Sequence, residues 1–300
     1  MTLVVAYKSK EEVYICGDTR LRLLDREGRS VDALNGSLKV IILSESLCFA
    51  YAGNITHKFA DSLPYLCNSF AGKGIESVLS ALLDIHILYN GRIDFIVSAL
   101  SPTAELIKIQ DLKIIRNLTS AWIGDIDAFN VYQESRLGDK NHTINDSICM
   151  RSKLYIYKVP DHPEADQELF LSMCRAMESV VGNERVESVG DFYTAVSSSN
   201  KGFYYLSYAS VDAPCQPPHI GCRTIGFGSA QEGGCSLTAL TPSSPGSAAV
   251  AFHYFQGQLG ILFLPKVSYF PLVFAETNCC DFIDHVKSRY GVCLDGPRFG

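Results

Sequence analysis

The first residues of the chain can carry nucleophilic chemistry. Met1 is followed by the small residue Thr2, a setting in which an initiator methionine is commonly removed, and we therefore expect Thr2 to become the N-terminal residue. An N-terminal threonine holds a hydroxyl and a free α-amine on one residue, and the unperturbed pKa of such an amine is ~7.7–8.0. The amine can therefore act near neutral pH as the general base that activates the hydroxyl, and no histidine is required.

Such a nucleophile depends on three further groups. A nearby cation keeps the amine neutral by like-charge repulsion and stabilises developing negative charge. A carboxylate holds that cation in place. A backbone N–H must point at the oxyanion, and a glycine at this position permits the close approach of a substrate. The fold must therefore bring these three groups to the N-terminal residue.

Hydrophobic periodicity predicts the elements that position these groups. Short apolar runs between polar turns predict strands, and apolar residues spaced by three or four predict helices. The predicted strands cover 3–7, 13–16, 39–43, 47–52, 93–100, 105–109, 114–118, 203–208, 247–255 and 259–264, and the predicted helices cover 55–70, 78–89, 128–137, 169–180 and 279–290. Residues 138–153 are interpreted as a loop insertion and 212–246 as irregular. This order predicts an α+β fold of two sheets with helix pairs outside them, because a parallel βαβ fold would alternate more strictly.

Four local motifs in this order resemble the proteasome β-subunit family. They are Thr2 before an apolar strand, Gly17-Asp18-Thr19-Arg20, Lys39-Val40 opening a strand, and Tyr51-Ala52-Gly53 before a helix. The chain looks most similar to the bacterial peptidase of this family that works with an unfolding ATPase ring, and the order of strands and helices matches as far as about Tyr208. The resemblance implies a four-layer αββα sandwich of the N-terminal-nucleophile (Ntn) hydrolase type. It would cover 1–211, with an insertion at about 138–160 and a C-terminal extension over 212–300.

The resemblance also implies a role for each matching residue. Thr2 would be the nucleophile and its amine the base, Asp18 and Lys39 the supporting ion pair, and Gly53 the oxyanion-hole position. The later turns Ile123-Gly124-Asp125 and Val189-Gly190-Asp191 resemble two turns that close around the family's site. The supporting residues implied in this way are Thr19, Gly124, Asp125, Gly190 and Asp191. The first of these turns commonly carries a serine that hydrogen-bonds the threonine amine, and here that role is vacant or held by Asp125.

The function implied is a threonine-type peptidase or amidase that needs no cofactor and no metal. Its substrate would be a peptide or protein, its assembly a homo-oligomer for which a ring is one arrangement, and an ATPase is one candidate partner. Because the serine is missing and an extension is present, a catalytically inactive scaffold or binding subunit on the same fold is the alternative hypothesis.

The amino-acid composition and the net charge exclude or disfavour several other classes of protein. Among 300 residues, 47% are hydrophobic and 19% are charged, which excludes a disordered chain. The formal net charge of −6 argues against a general nucleic-acid binder and against a polybasic membrane-surface protein. We expect no signal peptide and no membrane span, and the 11 cysteines are then best interpreted as reduced thiols of a cytoplasmic protein.

Two other hypotheses concern the C-terminal part of the chain. Cys215, His219, Cys222 and Cys235 suggest zinc only weakly, because their spacing is not that of a paired structural zinc site. The aromatic residues Tyr269, Phe270 and Phe274, together with the 248–264 hairpin, could form an exposed binding patch. The preferred interpretation is that these residues pack against the first domain.

Overall fold

The computed structural model describes residues 2–19, 36–137, 152–156, 164–181, 183, 186, 189, 192–212, 236–254 and 258–296. This part of the chain forms five helices and three antiparallel sheets. The mixture of helices with antiparallel sheets agrees with the α+β class predicted from the order of elements.

The elements follow one another in this order. The strands are β1 Leu3–Ser9, β2 Glu12–Asp18, β3 Val40–Ser44, β4 Leu47–Gly53, β5 Ile93–Ala99, β6 Glu105–Gln110, β7 Lys113–Ile115, β8 Ser120–Gly124, β9 Ser152–Ile156, β10 Tyr193–Ser199, β11 Gly202–Tyr205, β12 Tyr208–Asp212, β13 Ser236–Pro242, β14 Val250–Tyr254, β15 Leu259–Phe263, β16 Leu272–Phe274 and β17 Leu294–Asp295. The helices are α1 His57–Ser69, α2 Ile75–Leu88, α3 Ile126–Leu137, α4 Glu164–Val181 and α5 Cys279–Tyr290.

The first two sheets place the N-terminal residues between them. The first sheet has the order β11-β10-β2-β1-β8, and the second has the order β3-β4-β5-β6-β7. Strands β1 and β8 of the first sheet contact β4 and β6 of the second, so one face of each sheet is turned toward the other. Because β1 and β2 are apolar at nearly every position, they are suited to burial on both faces.

Helices lie on the two sheets in separate pairs. On the second sheet, α2 contacts β5 and β6, and Phe59 of α1 packs against Tyr51 and Phe95. On the first sheet, α4 contacts β2 and β10 and is packed against α3. Helix α1 begins where Thr56 Oγ1 accepts a hydrogen bond from Phe59 N at 3.3 Å, which is the ordinary way for a threonine to start a helix.

The third sheet joins the predicted insertion to the predicted extension. Its order is β16-β15-β14-β13-β12-β9, and β17 pairs with β13. Strand β9 comes from the segment predicted as an insertion, and β12 crosses the predicted boundary at 211/212. Helix α5 covers the sheet through Phe282 and Val286, and Gly291 ends the helix with φ +69, as the left-handed cap of a helix favours glycine.

Apolar contacts connect the third sheet to the rest of the chain. The rings of Phe192 and Phe252 stack with centroids 4.5 Å apart, and those of Tyr193 and Tyr208 stack at 4.7 Å. Phe252, Ile261 and Tyr269 belong to the same apolar core as the strands of the first two sheets. Tyr269 is buried, which favours packing over the exposed patch considered from the sequence.

Several predicted elements differ from the structure. The run predicted as one strand over 203–208 is two strands, because the chain leaves the first sheet after Tyr205 and enters the third at Tyr208. The segment predicted as irregular contains β13 at the centre of the third sheet, and the end of the predicted loop at 138–153 belongs to β9. Strands β8 and β10 were not predicted, and in β10 the serine and threonine residues hide the apolar alternation.

The remaining predicted features concern cysteines and membrane spans. Cys16, Cys48 and Cys279 are buried and Cys280 is exposed, so one residue of the adjacent pair at 279–280 faces the core. None of the helices that the structure describes is both long and apolar enough to cross a membrane.

Candidate active site

Thr2 is held at the end of the central strand pair. Strand β1 lies between β2 and β8, and Leu3 pairs with Gly124. The Thr2 carbonyl accepts a hydrogen bond from Asp125 N at 2.7 Å, and the residue is 2% exposed. The backbone that follows the Thr2 side chain is therefore fixed by pairing with β8 and by Asp125.

Asp18 is the direct partner of the Thr2 hydroxyl. Thr2 Oγ1 donates to Asp18 Oδ1 at 2.9 Å, and Leu3 N donates to the same oxygen at 3.0 Å. Asp18 is the last residue of β2 and is fully buried. A carboxylate that is buried in this way is tolerated only where donors and a cation compensate it.

Lys39 provides the cation in the same buried region. Its side chain is 1% exposed, and the residue stands immediately before β3. The strand opposite holds it in register, because Tyr51 N donates to the Lys39 carbonyl at 3.1 Å. The Lys39 ammonium lies over the Tyr51 ring, with Nζ 5.5 Å from the ring centroid, within the range of a cation–π interaction.

Burial shifts the pKa of both charged groups, and each group opposes the shift of the other. Burial raises the pKa of Asp18 to about 6, while the Lys39 charge, the Leu3 N–H and the Thr2 hydroxyl act in the opposite direction. Burial lowers the pKa of Lys39 to about 8, against the opposing effect of Asp18. Each charge therefore opposes the shift that burial imposes on the pKa of the other group.

Gly124 allows the backbone to approach Thr2, and Gly53 allows a similar close approach to Arg92. Gly124 has φ +113, and a β-carbon at this position would lie 1.8 Å from the Thr2 carbonyl oxygen and 3.4 Å from Ala52 Cβ. Gly53 follows Ala52 and has φ +127, and a β-carbon there would meet the Arg92 carbonyl oxygen at 2.1 Å. Gly53 therefore ends β4 at the edge where Gly124 packs against Thr2.

Asp125 and Thr19 have structural hydrogen bonds in this region. Asp125 Oδ1 accepts from Asp127 N at 2.8 Å and from Ala128 N at 3.2 Å, so this oxygen caps the start of α3. Thr19 Oγ1 donates to the Phe192 carbonyl at 3.2 Å, and the Thr19 carbonyl accepts from Ser37 N at 2.6 Å. Thr19 thereby ties the end of β2 to the segment that leads to Lys39.

The structure brings most of the sequence-predicted site residues into one region. Thr2 and Asp18 are hydrogen-bonded, Lys39 acts on Asp18 electrostatically, and Gly124 and Asp125 contact the Thr2 backbone. Gly190 and Asp191 lie outside the described residues, as do the candidate zinc ligands Cys215, His219, Cys222 and Cys235. In the part of the chain that the structure describes, no group of three or more His, Cys, Asp or Glu side chains could hold a metal ion.

The aromatic partner of Lys39 was not predicted from the sequence. Tyr51 stood inside a recognised motif but had no assigned role, and its ring forms the surface under the Lys39 ammonium. The alternation of β4 is a signal that could have identified Tyr51. Residues two apart in a strand face the same side of the sheet, so Tyr51 shares the face of Gly53, a residue already predicted in the site.

No protein-family model matches the chain, and no curated protein matches it significantly. The interpretation of the site therefore depends on its geometry.

We expect removal of both buried charges to leave the fold at least as stable as the wild type. The variant Asp18→Asn/Lys39→Met keeps an acceptor for Thr2 and Leu3 and replaces the ammonium with an apolar group of similar length. Neutral replacement of a buried ion pair commonly changes the free energy of unfolding by between zero and roughly 4 kcal/mol in the stabilising direction. Chemical denaturation at pH 7 measures it, and a loss of more than about 2 kcal/mol would show that the pair stabilises the fold.

The sign of the pH dependence follows from the two shifts. Because the pKa of Asp18 is raised, its contribution to stability is fully present below pH 3.8 and is lost as the pH rises through about 6. Because the pKa of Lys39 is lowered, its contribution is fully present above pH 10.5 and is lost as the pH falls through about 8. The advantage of the double variant should therefore be largest between these two folded-state values.

Gly124→Ala tests the close approach at Thr2. The new methyl group would overlap the Thr2 carbonyl, so we expect a loss of roughly 2–5 kcal/mol in the free energy of unfolding, from backbone strain and overpacking together. Gly72→Ala is the matched control, because Gly72 also has a positive φ (+71) but nothing within 4 Å of the added atom. It should cost only about 1–2 kcal/mol. Equal losses in the two variants would contradict the described packing on Thr2.

Proposed function

We propose that the protein is an N-terminal threonine hydrolase that cleaves peptide or other amide bonds, with Thr2 as the nucleophile. The observation that carries the proposal is the hydrogen bond from Thr2 Oγ1 to Asp18 Oδ1 at 2.9 Å, in a buried region that also holds Lys39. A strand-end threonine with no chemical role would have little reason to be paired with two buried, oppositely charged groups, because burying each charge opposes folding.

The arrangement of sheets and helices supports the same proposal. Two five-stranded antiparallel sheets face each other, with α1 and α2 on one and α3 and α4 on the other. We propose that these layers are the αββα sandwich of the Ntn hydrolases. The third sheet is then an addition to that sandwich, built from the 138–160 insertion, the 212–300 extension and the strand β12 that joins them.

The proposed reaction begins with the removal of Met1, which converts the Thr2 nitrogen from an amide into an amine. The amine accepts the proton of Thr2 Oγ1, and the oxygen attacks the substrate carbonyl carbon. The tetrahedral intermediate collapses as the amine returns the proton to the leaving nitrogen, and an ester on Thr2 remains. Water that is deprotonated by the same amine then hydrolyses the ester and regenerates Thr2.

In this scheme the other site residues stabilise the charges that are present or develop during the reaction. Lys39 keeps the neighbouring amine neutral and stabilises the negative charge that develops on the Thr2 oxygen. Asp18 holds Lys39 charged and orients the Thr2 hydroxyl, for which it is the hydrogen-bond acceptor. The Gly53 N–H binds the oxyanion in this proposal, because Gly53 ends the strand beside Thr2 and has no side chain to block a substrate.

A catalytically inactive scaffold or binding subunit is the second candidate function. Two observations favour it. One carboxylate oxygen of Asp125 already caps α3, in the turn where the family commonly places a serine toward the amine. Thr2 is also only 2% exposed in the chain that carries Met1. A chain that retains Met1 would have this function.

Substrate, assembly and location are part of the same proposal. We propose a peptide or protein substrate, a homo-oligomer for which a ring is one arrangement, an ATPase as a candidate partner, and a cytoplasmic location. Light scattering of the purified chain tests the assembly. A monomer at micromolar concentration would contradict the homo-oligomer without deciding the threonine chemistry.

Substitution of Thr2 separates the two candidate functions. With Met1 removed, we expect Thr2→Ala to lose at least ~10³-fold of the hydrolysis rate on a pool of peptide and amide substrates, because no nucleophile remains. Thr2→Ser keeps a hydroxyl and should retain measurable turnover. Circular dichroism and thermal melting should show that both variants are folded.

The contradicting result is equal turnover of the pool by wild type and Thr2→Ala. Hydrolysis would then come from another site or from a contaminant. If neither protein turns over any substrate although Met1 is absent, the scaffold function is favoured.

A further inference from the structure

His86 is a fully buried histidine whose two ring nitrogens both contact backbone groups. It lies in the last turn of α2, where Leu112 N donates to Nε2 at 3.0 Å and Nδ1 lies 2.7 Å from the Ile93 carbonyl oxygen. A backbone N–H can only donate, so Nε2 is the acceptor and Nδ1 carries the proton that is donated to Ile93. The ring is therefore held in one tautomer, between the start of β5 and the turn that joins β6 to β7.

Ile93 is the cross-strand partner of Gly53, the last residue of β4. Tyr51 N donates to the Lys39 carbonyl, so this N–H points to the β3 side of β4. Because N–H directions alternate along an antiparallel strand, the Gly53 N–H points to the same side, and the Gly53–Ile93 pair exchanges no hydrogen bond. The Ile93 carbonyl therefore points away from β4. The ladder between β5 and β6 ends before Ile93, so the His86 ring provides the hydrogen bond for this carbonyl.

Arg92, the residue before Ile93, is in direct contact with the end of β4. Its carbonyl accepts a hydrogen bond from Asn54 N at 2.9 Å. A β-carbon on Gly53 would lie 2.1 Å from the same carbonyl oxygen, so the Gly53 backbone is packed closely on Arg92. The position of the Gly53 peptide therefore depends on where Arg92 and Ile93 lie, and the His86 ring fixes the second of these two residues.

We propose that His86 is a positioning residue for the oxyanion site, and that it acts through Ile93 and Arg92 to hold Gly53 with its N–H directed at the substrate oxygen. The inference rests on the proposed function, in which the Gly53 N–H binds the oxyanion. Such a donor is effective only within about 2.7–3.1 Å of the position that the oxyanion occupies. A small displacement of the Gly53 peptide therefore weakens transition-state stabilisation although His86 does not contact the substrate.

Two substitutions separate the two hydrogen bonds of the ring. His86→Asn keeps a donor, because its amide nitrogen is as many bonds from Cα as Nδ1 and can donate to Ile93. His86→Gln keeps an acceptor, because its amide oxygen reaches as far as Nε2 and can accept from Leu112 N. Each variant loses one buried hydrogen bond, so both should melt below the wild type. His253→Gln is the matched control, because His253 is also buried and its Nε2 lies 2.8 Å from a backbone carbonyl, that of Thr277, in the third sheet.

Two electrophiles distinguish an effect on the oxyanion donor from an effect on the nucleophile, in protein whose mass shows that Met1 is absent. With a p-nitrophenyl ester, the Thr2 oxygen attacks the carbonyl carbon, its proton passes to the amine, an oxyanion forms and p-nitrophenolate leaves. With a vinyl sulfone, the Thr2 oxygen bonds to the terminal carbon, the amine returns the proton to the neighbouring carbon, and no carbonyl oxyanion forms. The ratio of the two rates therefore reports oxyanion stabilisation, because changes at Thr2, Asp18 or Lys39 affect both reactions.

We expect His86→Gln to slow the reaction with the ester by about 10- to 100-fold, because the Ile93 carbonyl loses its donor and the Gly53 peptide is displaced. Its reaction with the vinyl sulfone should keep the wild-type rate. His86→Asn and His253→Gln should keep the wild-type ratio of the two rates although each is less stable than the wild type. A purely structural histidine would instead lower both rates together, and to the same extent in the two His86 variants.

The outcomes distinguish this inference from the proposed function. If wild type and His86→Gln have the same ratio of rates, or if His86→Asn loses as much of the ratio as His86→Gln, the positioning role is wrong and the hydrolase stands. If the wild type without Met1 reacts with neither electrophile, the hydrolase is contradicted and the positioning role with it. If His86→Gln does not fold, His86→Ala takes its place, because it also lacks the donor to Ile93. A lowered ratio in His86→Ala that His86→Asn restores then supports the role, and equal ratios overturn it.

Discussion

The packing of the two facing sheets is constrained by one buried carboxylate and one buried ammonium. Asp18 and Lys39 are both buried, and each reduces the cost of burying the other. Asp18 also accepts two hydrogen bonds, from the Thr2 hydroxyl and the Leu3 N–H. These groups come from different strands and from both of the facing sheets. The sheets must therefore pack in one register, because a slip would leave a charge buried without its partner.

Much of the surrounding architecture satisfies that constraint. Strand β1 is fixed on both sides by β2 and β8, and Gly124 allows the β8 backbone to approach the Thr2 carbonyl. Asp125 fixes the same carbonyl with its N–H while its side chain starts α3. Helix α3 packs on α4, and α4 packs on β2, whose last residue is Asp18. Thr2 is therefore linked to Asp18 directly and also through β8, α3, α4 and β2.

The candidate site was more predictable than the sheets. Thr2, Asp18 and Lys39 lie in short motifs that were selected for their joint order along the chain, and the helices have an apolar spacing that the local sequence reveals. The β14-β15 hairpin of the third sheet was predicted, but the rest of that sheet was not. Its strands β9 and β12 are distant in sequence, and their pairing leaves no local signal. The passage from the first sheet to the third at 206–207 lies inside one apolar run.

The roles of Gly53, Gly190 and Asp191 stay predictions from the resemblance. Gly53 ends β4 and has a positive φ, whereas the other two lie outside the described residues. The Tyr51 ring adds a feature that the resemblance did not supply. It offers an apolar, electron-rich surface to the ammonium, where water would otherwise be needed.

The most direct test of the central claim is the intact mass of the purified native chain, before and after an electrophile that esterifies an N-terminal threonine. The account predicts a mass that lacks Met1, followed by a single adduct that maps to Thr2 and is absent in Lys39→Ala. A retained Met1, or a free Thr2 that never reacts, would contradict it.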